Sequence, residues 1–128
     1  MTKTGHNQNI IAIVDDLFFS SKIRESAKTL RLDLEFIKDT DGLIQKLQYG
    51  KPSLIILDLN SKASSPLETI KELKSSPDLK DITILGYISH VQTELKDEAI
   101  KAGCDLIFPR SKFSNELKEI LMKYSMKL

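Results

Sequence analysis

Asp15, Asp16 and Asp58 are the residues of this chain best suited to chemistry. Asp15-Asp16 closes the apolar run Ile10-Ile11-Ala12-Ile13-Val14, and Asp58 closes Leu54-Ile55-Ile56-Leu57. Runs of this length, rich in Ile and Val, read as strands buried on both faces. Open α/β sheets bind ligands in the crevice at the carboxyl ends of such strands. Carboxylates are rarely buried without a partner. Three that meet in one crevice repel one another unless a cation or a proton intervenes. The spacing therefore points to a shared acidic pocket. Taken alone, an Asp-Asp pair after a strand also serves as a loop start and helix cap.

The elements that must position these residues alternate along the chain. The first strand is Ile10 to Val14. A helix follows from about Ser20 to Leu30, with Phe19, Ile23, Ala27 and Leu30 on one face. Leu32 to Ile37 alternates apolar and polar residues and reads as an edge strand. Asp41 to Tyr49 is a second helix with Gly50 as its stop, and Leu54 to Leu57 is the central strand. The third helix has Ser65 as cap, Pro66 at its first position and Glu68 completing a capping box. Ile82 to Ile88 is the fourth strand, Val91 to Ala102 the fourth helix, closed by Gly103, and Leu106 to Phe108 the fifth strand. Ser114 or Asn115 caps a final helix with Leu117, Ile120, Leu121 and Tyr124 as its apolar stripe. The order is (βα)₅, which implies an α/β fold with a doubly wound, five-stranded parallel sheet.

The bulk properties narrow the classes. The chain has 128 residues, 41% hydrophobic and 29% charged, in the range of one ordinary globular domain. A net charge of +1 gives no global attraction to nucleic acid or anionic membrane. No apolar run is long enough to span a bilayer, and Met1 to Asn9 is polar and lacks a signal-peptide core. Residues 1–9 read as a loose tail and 10–128 as a single domain. One cysteine, Cys104, forms no internal disulfide and reads as a small packed residue. These features favour the cytoplasm. His6 and His90 are too dispersed for a metal site, and His90 reads as a surface loop residue. There is no glycine-rich phosphate loop and no Ser-His-Asp or Cys-His set.

From about Ile10 to Leu121 the sequence resembles the receiver domain of two-component response regulators, a CheY-like, flavodoxin-like fold with strand order 2-1-3-4-5. Asp15-Asp16 are similar to the family's acidic pair. Asp58, in Leu-Ile-Ile-Leu-Asp-Leu-Asn, is similar to its phospho-acceptor. Glu98-Ala99-Ile100-Lys101-Ala102-Gly103-Cys104-Asp105 resembles its fourth helix and following turn, and Phe108-Pro109-Arg110-Ser111 falls where it reads Leu-Pro-Lys-Pro. The resemblance implies that Asp58 accepts a phosphoryl group from a sensor histidine kinase or phosphotransfer protein. It implies Mg²⁺ (or Mn²⁺) held by Asp16, Asp58 and the Asn60 carbonyl, with Asp15 acting through a metal-bound water. Arg110 takes the place of the family's phosphate-binding lysine. At most, the catalysis implied is metal-dependent self-phosphorylation and autodephosphorylation.

The chain departs from the pattern in the half that receives and reports the phosphoryl group. Ile88 stands where the family has Thr or Ser, so a donor is missing. Adjacent Ser89 points the other way unless the strand has ended or bulged. Ile107 replaces the family's switch aromatic. Tyr87 and Phe108 fall on the opposite strand faces by alternation. Ser111 replaces a proline usually preceded by a cis bond, which predicts a trans Arg110-Ser111 bond with Arg110 displaced, or a strained cis bond. The loop Asn60-Ser61-Lys62-Ala63-Ser64-Ser65 is polar and reads as mobile, with Lys62 in reach of the pocket. No output domain is evident within 10–128. A signal would leave by contact with a downstream protein, without direct nucleic-acid binding or membrane insertion, from a monomer or weak dimer. The family's usual output face carries Lys96, Glu98, Lys101, Lys112 and Lys118 here. The alternative is a pseudo-receiver: a binding module that keeps the fold and signals without phosphorylation.

Overall fold

The structure is a computed structural model and describes residues 9–62, 64–89 and 92–125. Its elements run β1 (Asn9–Ile13), α1 (Leu17–Leu30), β2 (Asp33–Phe36), α2 (Thr40–Leu47), β3 (Leu54–Asp58), α3 (Pro66–Ser75), β4 (Thr83–Ile88), α4 (Thr93–Ala102), β5 (Leu106–Pro109), α5 (Arg110–Asn115) and α6 (Leu117–Ser125). All strand pairs are parallel, and the sheet order is β2-β1-β3-β4-β5. This is the doubly wound arrangement that the alternating pattern predicts.

Each strand residue chooses a face by parity, and the two faces differ. Ile11, Ile13, Ile55, Leu57, Ile84 and Ile88 pack toward α2, α3 and α4, against Leu43, Ile70, Leu73 and Ala99. Ile10, Ala12, Leu54, Ile56, Leu85 and Tyr87 pack toward α1, α5 and α6, against Phe19, Ile23, Phe113 and Leu121. β3 is buried throughout, which is why its sequence is apolar without alternation. β2, at the edge, alternates exposed and half-buried residues.

Several boundaries differ from the sequence expectation, each for a local reason. Asn9, assigned to the tail, opens β1, and Val14 lies beyond that strand. Helix α1 begins at Leu17 rather than Ser20, because Asp16 caps it. Ser65 precedes α3 without a side-chain capping bond, so the expected capping box does not form, although Pro66 does sit in its first turn. The final helix is two helices: α5 starts directly at Arg110, and the chain breaks at Glu116 (φ −115°) before α6. Gly103, at φ 109°, closes α4 in the left-handed region that favours glycine.

Gly86 matters for a different reason. A Cβ there would lie 2.7 Å from Cγ and Cδ1 of Leu59. The missing side chain lets Leu59 fold down onto β4, where its N–H donates to the Tyr87 carbonyl at 3.0 Å. That contact fixes the chain just after Asp58. At the opposite end of the sheet, Asp105 accepts from the Ile84 N–H and from Lys74 Nζ, both at 2.8 Å, which ties α3 to β4 and β5.

Candidate functional site

Asp58 ends β3 and is 5% exposed. It stands in register with Tyr87 of β4. The Asn60 N–H donates to its Oδ1 at 3.0 Å. Burial raises the carboxyl above the ordinary Asp value; the Asn60 bond and Arg110 oppose this, while the charges of Asp15 and Asp16 add to it.

Asp16 is engaged at both oxygens. Oδ1 accepts from the N–H groups of Phe18 (2.8 Å) and Phe19 (3.3 Å), which caps α1. Oδ2 accepts from Arg110 Nη2. Partial burial acts to raise the Asp16 carboxyl, but the bonds from Arg110, Phe19 and Phe18 outweigh it and hold the group below its ordinary value. The simple helix-cap reading of the Asp pair is thus correct for Asp16, and Asp16 also faces the pocket. Asp15 is exposed, and its Oδ2 accepts from Ser61 Oγ at 2.5 Å. Ser61 Oγ in turn accepts from the Ser64 N–H at 3.1 Å, so the serines give the loop after β3 an internal scaffold. Lys62 in that loop is exposed, and Ala63 lies outside the described residues.

Asn60 clips this loop to the one after β4. Its Oδ1 accepts from the Ser89 N–H at 2.9 Å, and its Nδ2 donates to Gln92 Oε1. Ser89 lies just past the end of β4. His6, His90 and Val91 lie outside the described residues.

Arg110 occupies the first turn of α5, and no peptide bond among the described residues is cis. Its guanidinium lies 4.4 Å from the Phe19 ring centre and 5.9 Å from that of Tyr87. Tyr87 packs against both Phe19 (4.7 Å) and Phe113 (5.0 Å), which also contact each other at 6.1 Å, so the three nearly parallel rings form one cluster. This wall of rings under the arginine is absent from the expectation. Alternation correctly puts Tyr87 on the face opposite Ile88, but it does not reveal that three rings stack there. Ile88 is 3% exposed and packs toward α3 and α4, with Ile107 beside that cluster. A cavity of about 100 Å³ adjoins them, lined also by Ser89, Gln92 and Lys96. Cys104 is buried, and burial pushes its thiol up to about 11, as suits a packed, unreactive residue.

The donor set of Asp15, Asp16, Asp58 and the Asn60 carbonyl consists of hard oxygens and fits Mg²⁺ or Mn²⁺ in kind. Among the described residues, no three Asp, Glu, His or Cys side chains are gathered closely enough to hold a metal. Arg110 donates to Asp16 Oδ2, so neither carboxylate oxygen of Asp16 is without a partner.

No family model matches the chain. A curated relative, response regulator Rcp1 of Synechocystis, is 33% identical over 95 residues, covering 66% of this chain. The match spans 65% of that relative's length. Among solved structures, the Mn²⁺-bound form of Rcp1 is similar at 23% identity and TM-score 0.69, covering 90% of this chain and 89% of that one. Chemotaxis regulator CheY4 of Vibrio cholerae is similar at 18% identity and TM-score 0.79, with 93% and 99% covered. The receiver domain of sensor histidine kinase PA1611 from Pseudomonas aeruginosa, with magnesium in its active-site cleft, gives 13% identity and TM-score 0.79, with 95% and 100% covered. Among the described residues no helix is long and apolar enough to cross a membrane. By fold the chain is similar to the CheY-like receiver domains of two-component response regulators, and by sequence it is similar to response regulator Rcp1.

Proposed function

We propose that this chain accepts a phosphoryl group on Asp58 from a phosphohistidine of a sensor histidine kinase or phosphotransfer protein, and passes the signal by protein contact. The observation that carries this reading is the buried Asp58 carboxylate, placed at the end of the central strand within the electrostatic reach of Asp15, Asp16 and Arg110. A carboxylate oxygen of Asp58 attacks phosphorus, the P–N bond breaks, and its electron pair leaves with the donor imidazole. Hydrolysis restores Asp58 when water attacks the same phosphorus and inorganic phosphate departs. Asp16, Asp58 and the Asn60 carbonyl, with Asp15 nearby, would hold Mg²⁺ or Mn²⁺, which would supply positive charge against the phosphoryl oxygens. Arg110 offers a planar, permanently charged donor that can turn from Asp16 to a phosphoryl oxygen. Lys96, Glu98, Lys101, Lys112 and Lys118 are all exposed and give the α4, α5 and α6 region a charged face suited to a transient partner.

The test is intact-mass measurement after incubation with Mg²⁺ and acetyl phosphate, with Asp58→Asn alongside. The expected result is one phosphoryl adduct on the parent chain and none on the variant. No adduct on the parent, under conditions that label an ordinary receiver, would favour the second reading: a pseudo-receiver that signals without phosphorylation. Ile88, with no donor, and the Arg110–Asp16 pair, which neutralises the pocket from within, are the observations on that side.

A further inference from the structure

Tyr87 holds a buried polar atom that the fold does not use. The residue is 0% exposed, and its hydroxyl has no hydrogen-bond partner. Buried hydroxyls without a partner are costly and uncommon. The ring packs against both Phe19 and Phe113 in a fully buried cluster, which leaves the hydroxyl little freedom to seek one elsewhere. Tyr87 is the β4 residue in register with Asp58, and parity puts both side chains on the same face of the sheet. Asp58 acts on the hydroxyl both through its charge and as a nearby acceptor, and Arg110 and Asp16 act through charge, so the O–H lies beside the Asp58 carboxylate although no hydrogen bond of ordinary length joins them.

We propose that the Tyr87 hydroxyl donates a hydrogen bond to the phosphoryl group on Asp58, supplying from the α1 and α5 face the donor that Ile88 lacks on the other. The assignment rests on Asp58 being the acceptor. A phosphoryl group on that carboxylate brings three strong acceptor oxygens to a pocket already holding an unpartnered O–H. Because the ring is clamped before the group arrives, the donor needs no reorganisation. Arg110, stacked over the same rings, supplies the charged donor beside it.

The experiment measures beryllofluoride binding, with Mg²⁺, to the parent chain, Tyr87→Phe and Asp58→Asn. Tyr87→Phe keeps the ring stack and removes one oxygen. Its dissociation constant for beryllofluoride should rise about tenfold or more, with the unfolding midpoint equal to or above the parent's. Binding by Tyr87→Phe as tight as the parent's overturns the Tyr87 assignment while the Asp58 reading stands. A parent chain that binds no beryllofluoride overturns both. Should Tyr87→Phe fail to fold, the Tyr87 Cζ resonance of the parent decides. A shift on beryllofluoride addition supports the bond, and an unmoved resonance overturns it.

Discussion

The two faces of β4 receive the same pocket in different ways. Toward α1 and α5, Tyr87 joins Phe19 and Phe113 in a ring stack with Arg110 above it. Toward α3 and α4, Ile88 and Ile107 present aliphatic side chains beside a small cavity. One face sets polar groups of the site against an aromatic cluster. On the other, Ile88 and Ile107 offer neither a donor nor a ring. Adjacent residues of one strand thus separate an aromatic face from an aliphatic one.

The contrast predicts unequal costs. Phe113→Ala removes one ring of the cluster from a fully buried position and should destabilise by about 3–5 kcal/mol. Ile107→Ala, at a half-buried site, should cost under about 2 kcal/mol. Denaturant unfolding of both variants checks this, and equal losses would break the contrast. Next in size is Gly86→Ala, whose new Cβ would press into Leu59 at 2.7 Å. Overpacking of this kind costs about 1–3 kcal/mol. Adding Leu59→Ala should recover part of the loss in a double-mutant cycle; additive losses would show that Gly86 does not serve to seat Leu59.

Asp58→Asn probes the pocket through pH. Burial raises the folded-state pKa of Asp58 above its unfolded value. Protonating Asp58 therefore stabilises the fold; that contribution is full below the ordinary carboxylate value and is lost as pH rises through the raised one. At pH 7 the asparagine variant should melt about 2–5 °C higher than the parent, and the gap should close as pH falls through the carboxylate range. Asp16, held low, contributes in the opposite sense, but both proteins share it, so it cancels in the difference. A gap independent of pH would mean that the Asp58 charge is not what burial opposes. The smallest effect concerns Arg110→Gln. Freed of the guanidinium, Asp16 should bind Mg²⁺ about three- to tenfold more tightly by calorimetry, a modest change because the Arg110–Asp16 pair is partly solvated. Weaker binding would show that Arg110 assists the cation rather than competing with it.

The fold was legible in the sequence because parity and apolar runs act locally. Ile10 to Val14 and Leu54 to Leu57 could be little else than buried strands, and the faces of Tyr87 and Ile88 follow from alternation alone. The placement of Asp15, Asp16 and Asp58 at the carboxyl ends of β1 and β3 was legible for the same reason. Arg110 was not. Its landing on Asp16 depends on α5 starting at once after Pro109, and on rings from α1, β4 and α5 meeting beneath it. Those contacts join residues far apart in the chain, and no local pattern records them. Ser65 erred in the other direction: its motif matches a capping box, yet the backbone at φ −115°, ψ 80° leaves its side chain without a capping bond.

The chain has no tryptophan and three tyrosines. Tyr49 is 85% exposed, Tyr124 is half-buried, and Tyr87 is fully enclosed. A ring fixed against two others in a chiral environment contributes to near-ultraviolet circular dichroism, while a freely turning surface ring adds little. The aromatic stack therefore gives this protein a built-in optical reporter directly behind Asp58. Events in the pocket can be followed on the unlabelled chain, without an added fluorophore.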